Sequence, residues 1–122
     1  MLATFTAFAV SVSAYDGLDL YDCVISAKDR VNSSGQPLTS VRDILAQDRA
    51  NYHKFNRRDA ADSGDSYFAT PQRRLEWQTV QLRISPALAA QIRNGGNVPI
   101  KVFILTETLI EVRAGLLDPN VG

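Results

Sequence analysis

The side chains best spaced for chemistry lie on one segment of the chain. Arg42, Arg49, His53 and Arg57 recur at intervals of seven, four and four residues. Residues four apart lie one above another on a helix, so a helix here would align three guanidinium groups and an imidazole. Guanidinium groups bind carboxylate and phosphate oxygens through paired hydrogen bonds. The spacing therefore predicts a cationic row that could bind a small anion or a nucleic acid.

The same segment holds the only histidine and a carboxylate, which together could support a small hydrolase using His53 and Asp48. At about 100° per residue, however, Asp48 falls in the middle of an apolar stripe. The stripe consists of Val41, Ile44, Leu45, Tyr52 and Phe55. An unpaired carboxylate in a core is strongly unfavourable, so Asp48 needs a basic partner, for which Arg83 and Arg113 are candidates. We therefore expect Asp48 to be a buried structural carboxylate rather than a catalytic acid.

Cysteine and histidine content argues against metal and disulfide chemistry. Cys23 is the only cysteine, and one cysteine with one histidine cannot supply the three or four side-chain ligands of an ordinary zinc site. Cys23 alternates with Ile25 in an apolar run, which is typical of a small core residue. The sequence thus predicts no metal, no cofactor, no disulfide and no catalytic residue.

Composition limits the classes of function. The chain has 122 residues, 13 basic and 13 acidic side chains, and 45% hydrophobic residues, which is typical of one globular domain. Because the formal net charge is zero, a nucleic-acid partner is not favoured. No run reaches the roughly 20 apolar residues of a membrane span.

The first 14 residues support two interpretations. Phe8, Val10 and Val12 alternate with small residues, which predicts an N-terminal strand. The small residues that end at Ala14 are also typical of a secretory cleavage region, although the positively charged start of a signal peptide is missing. A strand favours a cytoplasmic protein, and a signal remnant favours a secreted or periplasmic one.

Local signals predict the remaining elements. Ser40 is a candidate N-cap for a long helix over 41–55, and Ser85-Pro86 begins a short helix that ends at Asn94-Gly95-Gly96. Thr70-Pro71 is a third cap and could start a short helical turn. Strands are predicted at 21–31, 75–84, 98–105 and 108–112, with a C-terminal tail at 115–122. This order predicts one α+β domain over 1–122, with a mostly antiparallel sheet packed by one long and one short helix.

The run 98–105 is apolar on both alternating faces, which indicates a central strand or a strand that contacts a partner subunit. We therefore favour a non-catalytic protein interaction or assembly module that forms a homo-oligomer or binds a protein partner through its apolar strands. The alternative is a small anion- or nucleic-acid-binding protein that uses the cationic row. A hydrolase using His53 is the third hypothesis.

Overall fold

A computed structural model of the chain describes residues 15–57 and 62–115. The two interpretations of residues 1–14, and the predicted tail from residue 116 onward, concern positions outside these ranges. Within them, the prediction of an α+β fold is confirmed.

The described residues form four strands and three helices. The strands are β1 (Asp19–Ile25), β2 (Gln81–Arg83), β3 (Val98–Thr106) and β4 (Leu109–Ala114). The helices are α1 (Val41–His53), α2 (Pro71–Leu75) and α3 (Pro86–Asn94). Two 3₁₀ turns, Ala27–Arg30 and Glu76–Gln78, complete the regular structure of these ranges.

The four strands form one sheet in the order β1-β3-β4-β2. β3 pairs antiparallel with both β1 and β4, and β2 pairs parallel with β4 over three residues. The sheet is therefore mostly antiparallel, as predicted. Its register places Leu20 opposite Phe103 and Asp22 opposite Lys101, so these four side chains lie on one face.

The predicted N-caps of the helices are confirmed. The Ser40 hydroxyl accepts a hydrogen bond from the Asp43 N–H at 3.0 Å, and the Ser85 hydroxyl accepts one from the Leu88 N–H at 3.1 Å. Thr70 caps α2 in the same way. At the other end of α3, Gly95 is the C-cap and Gly96 has φ +71°, a backbone conformation that favours glycine.

The core lies between the helices and one face of the sheet. Val98, Ile100, Val102 and Ile104 of β3 are buried there, in one cluster with Trp77. The intervening residues of β3 are only half-buried, because the helices cover one face of the sheet. β3 is the central strand that the sequence predicts, and no helix of the described chain covers its second apolar face.

Two other predicted elements differ from the structure. The strand predicted at 21–31 ends at Ile25, because the Asp29 carboxylate accepts a hydrogen bond from the Ser26 N–H and the chain continues as a 3₁₀ turn. Only Gln81–Arg83 of the strand predicted at 75–84 is extended, because the capped α2 continues into the second 3₁₀ turn at the start of this run. α1 also ends two residues early, at His53.

Candidate functional site

The predicted cationic row does not form a common surface. Arg49 is fully buried, and the Arg42 guanidinium donates to the carbonyl oxygens of Trp77 and Val80 at 2.9 and 2.8 Å. Of the four residues in the row, only Arg57 is classed as exposed. The prediction of an exposed row is therefore wrong, because the side chain of Arg49 turns inward and Arg42 is engaged by backbone.

Arg49 is instead the centre of a buried charged cluster, formed by Asp48, Arg49 and Asp65. Its Nε donates to Asp48 Oδ2 at 2.8 Å, and its Nη1 donates to Asp65 Oδ1 at 2.6 Å. The guanidinium carbon lies 3.8 Å from the ring centre of Tyr21 and 4.7 Å from that of Tyr52. Two carboxylates and two aromatic faces thus stabilise one cation inside the protein.

Asp48 is buried, as its helical phase predicts, and it is 1% exposed. Its partner is its chain neighbour Arg49 rather than Arg83 or Arg113. Asp48 Oδ1, Arg49 Nη2 and Tyr21 Oη are buried without a hydrogen-bond partner among the described residues. Burial raises the pKa of Asp48 to about 7 against the attraction of Arg49. Asp48 is therefore a structural carboxylate that titrates near neutral pH.

The second carboxylate of the charged cluster has the opposite behaviour. Burial alone would raise the pKa of Asp65, but hydrogen bonds from the Phe68 N–H, His53 and Arg49 outweigh burial and lower it. His53 Nε2 lies 2.9 Å from Asp65 Oδ1, and the His53 side chain is 11% exposed. His53 is thus paired with Asp65 and not with Asp48, so the hydrolase hypothesis loses the carboxylate it required.

The cysteine lies beside this cluster. Cys23 is buried, and desolvation followed by the nearby charge of Asp48 raises the pKa of its thiol well above the ordinary value. A thiol that stays protonated is a poor nucleophile. Cys23 is therefore a core residue, as the alternation with Ile25 predicts.

The outer edge of β1 is covered by the segment 62–68. The Asp22 N–H donates to Ser63 Oγ at 2.8 Å, and the Val24 N–H donates to Asp62 Oδ1 at 2.9 Å. In return the Ser63 N–H donates to the Asp22 carbonyl at 2.8 Å. This edge is therefore already satisfied and is blocked for pairing with another chain.

Within residues 15–57 and 62–115, no helix covers the face of the sheet opposite the core, and we call it the outer face. Phe103 lies at its centre on β3, flanked by further half-buried apolar side chains. These are Leu20, Val24, Pro99 and Leu109. Tyr15 packs edge-on against Phe103, with ring centres 5.8 Å apart. In the described part of the chain, the outer face therefore carries one apolar group around Phe103 and Leu20 and a second at Val24 and Pro99, with the Asp22–Lys101 pair between them.

Charged side chains of both signs border these apolar residues. Asp22 and Lys101 form a salt bridge of 3.0 Å across β1 and β3. Glu111 and Arg113 pair along β4, and the Arg113 guanidinium lies 5.1 Å from the ring centre of Phe103. A groove of about 460 Å³ continues the surface past Glu111 and Arg113 toward α3. Arg83 of β2 lies opposite Glu111 on the same face, so the outer face carries two acidic and three basic groups in the described strands.

Other classes of site find no support in the described ranges. Residues 15–57 and 62–115 contain no group of three or more His, Cys, Asp or Glu side chains placed to hold a metal ion. None of the helices described is both long enough and apolar enough to cross a membrane. Comparison with protein families, characterised proteins and solved structures found no match to this chain.

Sequence patterns do not predict the contacts of two residues, Asp65 and Tyr21, that organise the buried cluster. Asp65 lies in a polar stretch where its neighbours Asp62 and Ser63 are equally plausible partners of Arg49. Tyr21 begins the run that contains Cys23 and Ile25, and its alternation with them does predict burial. Its contact with Arg49 depends on the packing of β1 against α1, which a single sequence does not encode locally.

Proposed function

We propose that this protein is a non-catalytic assembly module, and that its outer face binds a second copy of the chain. The observation that carries the proposal is the apolar surface around Phe103 on the open side of the sheet. Burying a half-exposed aromatic ring and its aliphatic neighbours is favourable by roughly 25 cal/mol per Å². Exposed apolar groups edged by charged side chains are typical of protein interaction sites.

A second copy is the partner that suits the charges best. A two-fold contact places the same surface on both sides, so each acidic group needs a basic group on that same surface. Asp22 and Lys101 supply one such pair, and Glu111 and Arg113 supply another. Because both signs of charge occur on this face, an acidic group of one copy can lie against a basic group of the other.

The size of the outer face favours a reversible contact. Three paired strands at a spacing of about 4.8 Å, each about seven residues long at about 3.4 Å per residue, cover roughly 350 Å² in projection. A standard stable interface buries about 800 Å² per partner. We therefore expect a dimer in the micromolar range rather than an obligate one.

Analytical ultracentrifugation with two matched substitutions tests the proposal. Phe103→Asp places a charge at the centre of the outer face, whereas Leu75→Asp changes an exposed leucine, 70% exposed, on α2. At about 100 μM, chosen for micromolar affinity, we expect the wild type and Leu75→Asp to sediment mainly as dimers and Phe103→Asp as a monomer.

Two results would contradict self-association through the outer face. One is a wild type that sediments at the 13.4 kDa mass of a single chain at this concentration. The other is a dimer that Leu75→Asp dissociates and Phe103→Asp leaves intact. Far-ultraviolet circular dichroism checks that each variant is folded. If Phe103→Asp is not folded, Phe103→Ser is the milder replacement.

A further inference from the structure

Phe68 anchors the end of the segment 62–68 in the core, where its ring stacks on Trp77 with ring centres 4.9 Å apart, and the residues before it are attached mainly through carboxylates. Asp62 accepts the Val24 N–H of β1, and Asp65 accepts the Arg49 guanidinium of α1. Asp19 Oδ2 accepts the N–H groups of Ser66 and Tyr67, each at 3.1 Å. The contacts of Asp62 and Ser63 with the edge of β1 therefore depend on how the negative charges of the buried carboxylates are balanced by nearby cations.

The buried charges beneath the segment are not balanced if every carboxylate is ionised. Arg49 is the cation that both Asp48 and Asp65 contact, and Asp65 receives the larger share of the donors. Those donors to Asp65 are the Arg49 Nη1, His53 Nε2 and the Phe68 N–H at 2.7 Å. Asp48 receives a hydrogen bond from Arg49 on Oδ2, while Oδ1 has none from the described residues.

The groups that face Asp48 from the other elements add to this excess. Asp29 on the first 3₁₀ turn and Asp62 on the segment 62–68 both act on it as negative charges. From β1, Tyr21 and Cys23 lie against it, and burial keeps both of these neutral. Ionising Asp48 therefore adds a buried negative charge that no further cation compensates within the described chain.

We propose that residues 62–66 are a proton-dependent cover of the β1 edge, which stays closed while Asp48 carries a proton and opens more readily when Asp48 ionises, with Phe68 remaining in the core. Ionised Asp48 competes with Asp65 for Arg49 and repels the Asp62 and Asp65 carboxylates that attach the segment. Burial raises the pKa of Asp48 to about 7 in the closed state, so the opening constant rises with pH up to about pH 7. The inference does not depend on association through the outer face.

Release of the cover would expose a strand edge that can pair with another chain. The Asp22 and Val24 N–H groups and the Asp22 carbonyl would lose their partners in the segment. An uncovered edge strand is a template for β-sheet extension. The protein would thus gain a second, pH-dependent contact surface at the opposite edge of the sheet from β2.

Amide hydrogen exchange measured by NMR on the full chain tests the cover. The probes are the Asp22 and Val24 amides, and their rates are corrected for the intrinsic pH dependence of exchange. If closure requires a proton on Asp48, the opening constant rises by about tenfold per pH unit between about pH 5 and 7 and then levels off. In Asp48→Asn, which cannot ionise, we expect the opening constant to stay constant.

Three results would overturn the proposal. The first is a wild-type opening constant that does not change with pH, and the second is an equal slope in Asp48→Asn. The third is equal exchange rates and slopes for the β3 amides, which would show that the whole domain unfolds instead of the segment. If Asp48→Asn does not fold, the carboxyl carbon shift of Asp48 in the wild type gives its pKa directly, and a value near 4, as in unfolded peptides, would also overturn it.

Discussion

At the residue scale, the structure depends most on the position of Arg49. Its position in the helix, about 100° around the axis from Asp48, predicts that Arg49 lies on the polar face. Consecutive residues of a helix do not normally contact each other through their side chains. The long side chain nevertheless turns back into the core between Tyr21 and Tyr52 and contacts both Asp48 and Asp65. Periodicity could predict the burial of Asp48 but not this turn, because a flexible side chain can leave the face of its Cα.

Removing the Arg49 guanidinium should strongly destabilise the fold. Arg49→Met keeps much of the aliphatic volume but leaves two buried carboxylates without their cation, which costs about 3 to 5 kcal/mol in comparable buried pairs. Arg57→Met is the matched control, because Arg57 is exposed and should change the free energy of unfolding by under about 0.5 kcal/mol. Urea denaturation measures both, and similar values for the two variants would contradict a central role for Arg49.

The pH dependence of stability follows from Asp48. Its pKa is about 7 in the folded state and about 4 in an unfolded chain, so the folded protein binds the extra proton between these values. This contribution to the free energy of unfolding is greatest below about pH 4 and is lost as the pH rises through about 7. Asp65, whose pKa is lowered, contributes in the opposite direction and loses its contribution as the pH falls through its folded-state pKa.

Denaturant unfolding at several pH values separates the contributions of Asp48 and Asp65 to the free energy of unfolding. Between about pH 5 and 8 we expect the wild type to lose a few kcal/mol, on the order of the pKa shift of Asp48. Asp48→Asn should remove most of this slope, whereas Asp65→Asn should keep it and be less stable throughout. A wild type that becomes more stable from pH 5 to 8 would contradict the assignment of a raised pKa to Asp48.

At the element scale, helix ends follow from local chemistry and strand lengths do not. The three helices begin after Ser40, Thr70 and Ser85. Each N-cap oxygen accepts a hydrogen bond from the N–H three residues later, and this local contact does not depend on the rest of the fold. The alternation of Leu75, Trp77 and Thr79 suggests a strand, but the cap at Thr70 starts a helical path that carries Trp77 into the core. Strand length depends on pairing with residues distant in the chain. The alternation in the sequence therefore predicts a β2 longer than the observed Gln81–Arg83.

The capping interaction at α1 has a measurable contribution. Ser40→Ala removes the acceptor of the Asp43 N–H and should lower the free energy of unfolding by about 1 kcal/mol. Ser34→Ala, in the exposed loop before the helix, is the control and should have little effect. Thermal denaturation followed by circular dichroism compares the two, and an equal midpoint for both variants would argue against a stabilising cap.

At the scale of the whole molecule, the sheet has one protected edge and one open face. Side chains of the segment 62–68 satisfy the edge of β1, while the helices cover only the inner side of the sheet. Composition and the order of the elements could predict the fold class, and the interaction surface inferred from the two-sided apolar pattern of β3 stays a prediction. They could not predict which edge is covered, because Asp62 and Ser63 lie about 40 residues after the strand they cover.

The central claim is that copies of this chain meet through the outer face. Amide chemical shifts of the wild type, recorded from about 20 μM to about 500 μM, a range that spans a micromolar dissociation constant, test it residue by residue. We expect concentration-dependent shifts at Leu20, Phe103 and Glu111 and constant shifts on the exposed side of α3. Shifts that do not change with concentration, or changes confined to the helices, would contradict the claim.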